Sequence, residues 1–299
     1  MFTHCGLYFG DEQIAAARKE RGSKPLKQAW ARLPELQPAD DIAAVIIGGF
    51  LYRFDDNSSA GMHAAAKLYN APLPADSTLN TFRTLAALAQ GHEMLRPLFS
   101  AEEQTRWQTD FAAHLGTLRT GALYHEQLWY EALRLLAGIV LEQRAWVEAG
   151  AEVYRRVIRE DIRPDGYIQE AVEGRDGEGF FRHIVSTQAL VLMAEAARHV
   201  GIDLWGYEQR GVSVVTAAAY PLYYYFYPQK WRWDKDLSED TAQRIFRDSG
   251  GFLEMVNHQR PLHDIGLLLK EWRPVCDIYG GGLTTLSHGG TGKRGLFGR

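Results

Sequence analysis

Ten residues near the middle of the chain, GRDGEGFFRH at positions 174–183, carry an unusual number of ionisable side chains. They follow a turn (RPDG) and lead into a long apolar stretch that predicts a buried helix. A connecting loop needs glycine and polar residues, but it does not need Arg175, Arg182 and His183 close together. Because a guanidinium can bind a carboxylate through two parallel hydrogen bonds, the cluster indicates an anion-binding site where this helix begins.

The same charges have a second interpretation. Glu173, Asp176 and Glu178 lie in or beside the segment. Ion pairs between these carboxylates and the two arginines would account for the cluster without any ligand. The residues alone leave both interpretations open.

A second candidate is the segment YHEQLW, which places Tyr124, His125 and Glu126 at the predicted start of another buried helix. The free N–H groups and the dipole of a helix start favour a bound anion. The alternative is an N-terminal turn whose side chains satisfy the helix's own donors.

A third candidate is the aromatic stretch YYYFYPQKWRWD at positions 223–234, with Lys230 and Trp231 near its centre. Packing in the core would explain most of it. A stacking platform for sugar rings is the functional interpretation, since their apolar C–H faces suit flat aromatic rings. The basic residues beside Trp231 would then suit a sugar that carries carboxylates.

Metal and phosphate sites are not indicated. The glycine-rich segment HGGTGKRG at 288–295 lacks the first glycine and the Ser/Thr of a phosphate-binding loop. His258 and His263 are five residues apart with a proline between them, and the two cysteines, Cys5 and Cys276, form no CxxC pair. We therefore expect no metal and no cofactor.

Composition restricts the class of protein. The chain has 299 residues, 46% of them hydrophobic, and a net charge of -4, which argues against a nucleic-acid partner. The N-terminal residues have no basic and apolar leader pattern, and no apolar run is long enough to span a membrane. We expect a cytoplasmic protein with no membrane partner, and the oligomeric state stays open.

Nearly every segment shows helical periodicity, and strand signals are few. Strongly apolar helices alternate with helices that carry one charged face, which is typical of an inner ring packed against a solvated outer ring. The sequence predicts an all-α fold, an α/α toroid of stacked helical hairpins, as a single domain over residues 1–287. Residues 288–299 are predicted to be a flexible, glycine-rich tail.

With those elements placed, the chain resembles the alginate lyase family of polysaccharide lyases (polysaccharide lyase family 5 and its relatives), whose fold is an α/α toroid. The family has a DG pair, a glutamate, an arginine and a HYHN-like motif that enters an apolar helix. This chain has Asp165-Gly166, Glu170, Arg175 and then FRHIVSTQALVLMAEAA. His183 falls on the second histidine of the motif.

A second diagnostic match near the end of the chain and two weaker ones support the resemblance. RPVCDIYGGGLTTL is similar to the family segment RPLYDPWLGGDVTLLF, which closes the domain. YHEQLW occupies the place of the family's NNHSYW motif. RFDDNSSAGMHAAAKLY is similar to an early pair of toroid helices and suggests Lys67 and Tyr69 as residues lining the groove.

The chain also departs from the family pattern. Arg182 stands where the HYHN motif has its tyrosine, and Ile184 where it has its asparagine. Alignment on Trp129 puts Glu126 under the histidine of NNHSYW, whereas a shift of one residue puts His125 there. The resemblance therefore supports the toroid fold more strongly than it supports the assignment of catalytic residues.

The implied reaction is β-elimination on a uronic-acid-containing poly- or oligosaccharide, without a metal. The resemblance suggests Arg175, with Arg182, for the substrate carboxylate, His125 as the base and Tyr124 as the acid. His183 would orient or neutralise the carboxylate. Additional substrate-binding residues are predicted on the sequence positions already introduced: Glu126, Lys67, Tyr69, Lys230 and Trp231.

Two alternatives remain. An α/α-toroid glycoside hydrolase would use paired carboxylates, with Asp165, Glu170, Glu173 and Asp176 as the candidates. A family member without catalysis that binds uronates would fit the loss of the motif tyrosine at Arg182.

Overall fold

The structure, a computed structural model, describes residue 2 and residues 4–290. In this part of the chain the regular structure is helical, apart from three isolated β-bridges, so the predicted all-α fold is confirmed. The α-helices are α1 (Asp11–Lys19), α2 (Leu26–Arg32), α3 (Asp41–Asp55), α4 (Ser58–Asn70), α5 (Leu79–Leu95), α6 (Ala101–Leu115), α7 (Tyr124–Val140), α8 (Arg144–Arg156), α9 (Glu178–His199), α10 (Val214–Ala219), α11 (Leu222–Phe226), α12 (Glu239–Ser249), α13 (Phe252–Gln259), α14 (His263–Trp272) and α15 (Thr284–His288).

Side-chain caps define several helix starts. Asp40 accepts a hydrogen bond from the Ala43 N–H at 2.8 Å at the start of α3. At the start of α6, Ser100 and Glu103 form the reciprocal capping box that their spacing predicts, with N···O distances of 3.2 and 2.8 Å. These contacts fix where each hairpin turns.

An inner ring of helices forms the toroid. Helices α3, α5, α7 and α9 pack against one another in chain order, and α13 packs against α9. The ring continues from α13 to α15, from α15 to α1 and from α1 back to α3. The outer helices α4 and α8 cover α3 and α7, and α6 covers α5 where the Trp107 ring stacks on His92 at 4.2 Å. This is the α/α toroid that the alternation of apolar and amphipathic segments predicts.

The direction of the inner helices decides which residues can meet. Each inner helix from α3 to α9 is followed by one outer helix, so the chain reverses twice and α5, α7 and α9 run in the same direction. Their first turns therefore lie at one end of the toroid. A contact confirms it: Trp129, in the second turn of α7, donates its indole N–H to the carbonyl of Val185, the eighth residue of α9, at 2.8 Å.

Close approach between inner and outer helices depends on glycine. A Cβ on Gly48 of α3 would lie 2.5 Å from the Ala64 Cβ of α4. A Cβ on Gly138 of α7 would lie 2.9 Å from the Trp146 Cβ of α8. Real Cβ contacts are not this short, so any larger residue at either position would push the two layers of the toroid apart.

The segment at 277–283 fills the centre of the ring. Gly281 and Gly282 have φ values of +107° and +80°, which glycine adopts without strain. A Cβ on Gly282 would lie 2.4 Å from the Phe50 ring, and one on Gly281 would lie 2.5 Å from the Met255 side chain. The glycines of the segment that resembles the family's closing motif therefore let the backbone enter the middle of the toroid.

The end of the described chain corrects the predicted start of the tail. His288, which the sequence assigns to a flexible tail, is the last residue of α15, and its side chain is buried. Its Nε2 lies 3.5 Å from a carboxylate oxygen of Glu195 in α9, so contact with the inner ring holds it. Residues 291–299 of the predicted tail lie outside the described residues. In the described part, no helix is long and apolar enough to cross a membrane.

Candidate active site

Three residues at the start of α7 were predicted as site residues, and each has a different environment. Leu123 is the N-cap, and its N–H donates to the Glu126 carboxylate at 3.1 Å. This is the helix-capping role of a glutamate in the first turn. The Glu126 carboxylate therefore satisfies a donor of its own helix, and its assignment to substrate binding stays a prediction.

Tyr124 points toward the segment that precedes α9. Its hydroxyl donates to the Asp161 carboxylate at 2.7 Å. Burial raises the pKa of the Tyr124 hydroxyl well above its ordinary value, and the charge of Asp161 raises it further. Tyr124 is therefore protonated at neutral pH, which is the state that a proton donor needs.

His125 is buried, with 5% of its surface exposed. Burial lowers the pKa of its imidazole, and the nearby Arg182 charge lowers it too, against the opposing effect of Glu126. The ring is therefore neutral at pH 7. No hydrogen bond to the His125 ring is present among the described residues, so both nitrogens are available to a ligand. A neutral imidazole beside a guanidinium is suited to accept a proton.

Arg182 faces this histidine from α9. The helix begins at Glu178, so Arg182 lies in its second turn and not at its start as the sequence analysis expects. Its guanidinium donates to the Glu178 carboxylate at 2.9 Å and to the Glu173 carbonyl at 3.2 Å. The ion-pair interpretation of the cluster is thus correct for Arg182, and a substrate carboxylate would have to compete with Glu178.

The prediction that His183 orients or neutralises a substrate carboxylate is wrong. Its side chain is fully buried, with Nδ1 accepting from the Ile168 N–H at 3.4 Å and Nε2 donating to the Ala217 carbonyl at 3.2 Å. Burial lowers the pKa of His183 to about 4. A neutral ring with both nitrogens bound to backbone cannot neutralise a substrate carboxylate. Instead it fastens the loop before α9, and helix α10, to the inner ring.

Arg175 lies on the surface of the loop before α9. The loop turns tightly through Gly174, Asp176 and Gly177, all with positive φ. The Gly177 N–H donates to the Asp234 carboxylate at 2.7 Å, which anchors this turn. The Arg175 side chain is exposed, and no hydrogen bond or ion pair from its guanidinium is present in the described chain. Its assignment to a substrate carboxylate stays a prediction.

The aromatic stretch at 223–234 divides between core and surface. Trp231 is completely buried, with its ring 5.0 Å from Phe180 and 4.9 Å from Tyr224, so the prediction that it binds sugar is corrected. Lys230 beside it is exposed. The side chains of Tyr223 and Tyr227 are about half exposed, at 52% and 49%, and their rings lie 5.0 Å apart. The exposed aromatic edge therefore lies earlier in the stretch than predicted.

Lys67 and Tyr69 lie in α4, in the outer layer. Lys67 pairs with Asp41 at the start of α3 and lines an open cavity of about 350 Å³ between these helices. The Tyr69 ring packs against Phe99, with the Arg106 guanidinium over it at 5.6 Å. Within residues 4–290, no contact joins either residue to His125, and a groove-lining role for them stays a prediction.

Sequence reasoning missed Arg83, in the second turn of α5. Its guanidinium lies over the ring of Trp129 at 5.7 Å and over the ring of Tyr279 at 5.0 Å. The only sequence signal is an arginine in a helix that otherwise reads as an apolar inner element. His125 and Trp129 are four residues apart in α7, so they share one face of the helix, and Arg83 contacts that face at Trp129.

The described residues contain no group of three or more His, Cys, Asp or Glu side chains placed to hold a metal ion. The site is instead composed of a neutral imidazole, a protonated phenol and two guanidinium groups at one end of the toroid. Such groups can accept a proton, donate one and stabilise a negative charge.

Comparison with solved structures shows the same fold. Alginate lyase A1-III from Sphingomonas species A1 superposes with a TM-score of 0.64 at 18% identity, over 83% of this chain and 75% of that one. A tyrosine-to-phenylalanine variant of A1-III, complexed with a tetrasaccharide, gives 0.71 at 16% identity, over 94% and 96%. An alginate lyase from Bacteroides ovatus gives 0.71 at 11% identity, over 96% and 99%.

Comparison of the sequence itself gives the family. No curated protein matches the chain. The family model described as alginate lyase matches residues 79–231, just over half of the chain and the part that carries α5, α7 and α9. With the toroid and the residues that its parallel inner helices bring together, this match shows that the chain belongs to the alginate lyase family of polysaccharide lyases.

Proposed function

We propose that this chain cleaves an acidic, uronate-containing poly- or oligosaccharide of the alginate type by β-elimination, with His125 as the base. The observation that carries the proposal is the environment of His125. Its imidazole is buried, neutral and free of hydrogen bonds at the end of the toroid where α5, α7 and α9 begin. Structural neighbours that hold a tetrasaccharide support an oligosaccharide as the ligand.

The reaction requires three tasks. The proton on C5 of a uronate is only weakly acidic beside an ionised carboxylate, so a cation must neutralise that carboxylate. His125 takes the C5 proton, and the electron pair of the C5–H bond forms the C4–C5 double bond. The bond between C4 and the glycosidic oxygen breaks, and that oxygen takes a proton from an acid. The product is an unsaturated uronate and a shortened saccharide.

Tyr124 is the proposed acid. Its raised pKa keeps the phenol protonated, and the adjacent position to His125 brings it to the same end of α7. In the unliganded protein its proton is held by Asp161. The proposed step therefore requires Tyr124 to exchange that hydrogen bond for one to the leaving oxygen. Tyr124→Phe should slow turnover while leaving the saccharide affinity within about threefold.

The test is the ultraviolet absorbance of the unsaturated product on alginate, polyglucuronate and related polymers. Loss of general base catalysis at His125→Ala should lower kcat/KM by about 10² to 10⁴-fold. His125→Asn is the second variant, in case the smaller side chain disturbs folding. The matched control is His263→Ala, because His263 is exposed at the start of α14. Full activity in a folded His125→Asn protein would contradict the assignment.

The pH profile gives an independent check. A base must be unprotonated, and burial places the pKa of His125 below the ordinary histidine value of about 6.5. The acid limb of kcat/KM should therefore lie below pH 6.5, with activity falling as the pH drops through it. An acid limb above 6.5 would point to another base.

Binding without turnover is the second candidate, favoured by one observation. Arg182 stands where the resemblance expects a tyrosine, and Glu178 occupies its guanidinium. Calorimetric binding of oligouronates by folded protein with no unsaturated product would support that function. Release of a saturated reducing end would instead support a hydrolase that uses the exposed carboxylates of Asp165, Glu170, Glu173 or Asp176.

A further inference from the structure

Arg83 is the exception among the arginines of this protein. Among the half-buried arginines of the described chain, it is the one whose side chain makes no hydrogen bond and no ion pair. Its Nε and Nη2 atoms are shielded from solvent and have no partner. A guanidinium remains charged in a protein, and leaving such donors unpaired is costly, so the arrangement requires an explanation.

The pairing that Arg83 lacks is present elsewhere in the molecule. Arg273 donates from Nε and Nη2 to the two carboxylate oxygens of Glu254, at 2.8 and 2.7 Å. Both arginines are half-buried. The difference is that a carboxylate accepts hydrogen bonds directly from Arg273, whereas in the described structure none accepts from Arg83.

Asp277, the carboxyl group with the largest electrostatic effect on Arg83, accepts its hydrogen bonds from other residues. Asp277 and Asp248 act on Arg83 through their charges, but neither forms an ion pair with it in the described structure. Asp277 accepts from Gln188 Nε2 at 2.7 Å and from the Gly280 N–H at 2.9 Å. These contacts hold the Asp277 carboxylate in the central segment. Burial raises the pKa of the Asp277 carboxyl above its ordinary value, and the Arg83 charge opposes that shift, so the two groups interact without a hydrogen bond between them.

The surroundings of Arg83 fix its position. The guanidinium lies over Trp129, which is completely buried and held by its hydrogen bond to Val185, and over the half-buried ring of Tyr279. Two aromatic faces stabilise a cation and restrict its rotamers. Nη1 is not among the shielded atoms, so it is the part of the guanidinium that an anion can reach.

We propose that Arg83 is the residue that binds the carboxylate of an acidic sugar unit, through the accessible Nη1 of a guanidinium that lies over Trp129, four residues after His125 in α7. This inference rests on the proposed function, since it supplies the cation that β-elimination needs beside the base. It replaces Arg182, which Glu178 engages, and does not depend on the exposed Arg175. The ligand class is a uronate, because a neutral sugar offers nothing that would compensate the unpaired charge.

The experiment compares Arg83→Met with the matched variant Arg134→Met. Arg134 is also half-buried and also lies near aromatic rings, Tyr130 and Trp146, but it pairs with Glu131. Calorimetry would measure the affinity for an oligomannuronate and for the same oligosaccharide with its carboxyl groups reduced to alcohols. The wild-type protein should prefer the acidic ligand, and Arg83→Met should weaken acidic binding by about 10 to 200-fold.

The reduced oligosaccharide distinguishes a loss of carboxylate binding from damage to the fold. Arg83→Met should bind it as the wild type does, whereas a damaged fold would weaken both ligands equally. Arg134→Met should leave both affinities within about twofold. Arg83→Lys, which keeps the charge but not the fork, should be intermediate and covers the case in which the methionine variant fails to fold.

Two outcomes would overturn the inference: acidic affinity unchanged in folded Arg83→Met, or acidic and reduced ligands weakened alike in Arg83→Met and Arg83→Lys. The proposed function fails separately. If the wild type binds oligouronates through Arg83 but forms no unsaturated product, β-elimination is wrong and the carboxylate site stands. If the wild type forms product and Arg83→Met retains its kcat/KM, the reaction stands and the site is wrong.

Discussion

Glu195 and Arg83 are two charged side chains near opposite ends of the toroid, and they differ in how many hydrogen-bond partners the chain provides for them. Glu195, near the end of α9, is completely buried and accepts from Arg198 at 2.5 Å, from the Trp205 indole at 2.9 Å and from Gln259 at 3.0 Å. Arg83, near the start of α5, is half-buried and has no such partner in the described chain. One charge is fully paired and the other is not.

The difference separates a stabilising network from a binding site. Burial alone would raise the pKa of Glu195, but hydrogen bonds from His199 and His288 and the Arg198 charge hold it well below its ordinary value. The network joins α9 to α13, to α15 and to the segment after α9, so it stabilises the packing of these elements. At Arg83 the attraction for an anion is not satisfied by the chain, so it remains available to a ligand.

The largest expected effect comes from removing the paired charge. Glu195→Gln leaves Arg198 without its counterion and turns amide donors toward the Trp205 and Gln259 donors. The free energy of unfolding should fall by about 3 kcal/mol. Urea denaturation at pH 7 would measure it. Glu148→Gln is the control, because Glu148 pairs with Arg144 on an exposed face and should change stability by less than about 0.5 kcal/mol.

The comparison would break if Glu195→Gln were as stable as the wild type. The network would then be dispensable, and pairing would not distinguish the two ends of the ring. A loss of saccharide affinity in Glu195→Gln without a loss of stability would show that the Glu195 network serves ligand binding and not stability.

A smaller effect should follow from His183, which is buried but neutral. Its pKa is about 6.5 in the unfolded chain and about 4 in the fold, so the unfolded state binds more protons between these values. Stability should therefore fall as the pH drops, and His183 should account for about 2 kcal/mol of the loss between pH 7 and pH 5.

The His183→Gln variant has no titrating group at this position, so it isolates the contribution of His183 to the pH dependence of stability. The variant should be less stable than the wild type at pH 7, and the difference should shrink by about 2 kcal/mol at pH 5. Urea titrations of both proteins at the two pH values measure it. A constant difference would show that His183 is not the titrating group.

The smallest effect is expected at Lys67. Its ammonium pairs with Asp41, whose side chain is largely exposed at 66%, so the pair is accessible to water and salt. Lys67→Met should change the free energy of unfolding by less than about 1 kcal/mol. If α4 does not line the groove, oligouronate affinity should also be unchanged. A tenfold weaker affinity would support the prediction that Lys67 binds substrate.

Much of the fold could be predicted from local patterns. Capping residues such as Ser100 with Glu103 and Asp40 identify helix starts, and the alternation of apolar and amphipathic segments predicts two layers. The start of α9 was placed a turn late, because Gly177 and Glu178 read as loop until Asp234 is seen to anchor the Gly177 N–H. That contact is 57 residues away in the chain.

The site was predictable only in part. His125 was singled out correctly as a residue of the helix start, but nothing local distinguishes it from His183, which differs because Ile168 and Ala217 occupy both of its nitrogens. Arg182 was singled out from the sequence and Arg83 was missed for the same reason. Glu178 lies four residues from Arg182 and its pairing can be read from spacing, whereas no spacing shows that Arg83 lacks a partner.

The sequence by itself determined which segments are helical, which of their faces are apolar, and the family to which those segments are similar, because these depend on residue type and short-range spacing. The tertiary structure decided which charges are paired. Whether a histidine is neutral, a glutamate ionised or a guanidinium free depends on burial and on partners brought from distant parts of the chain. Trp129, Tyr279 and Asp277 meet around Arg83 only once the inner ring has closed around the central segment.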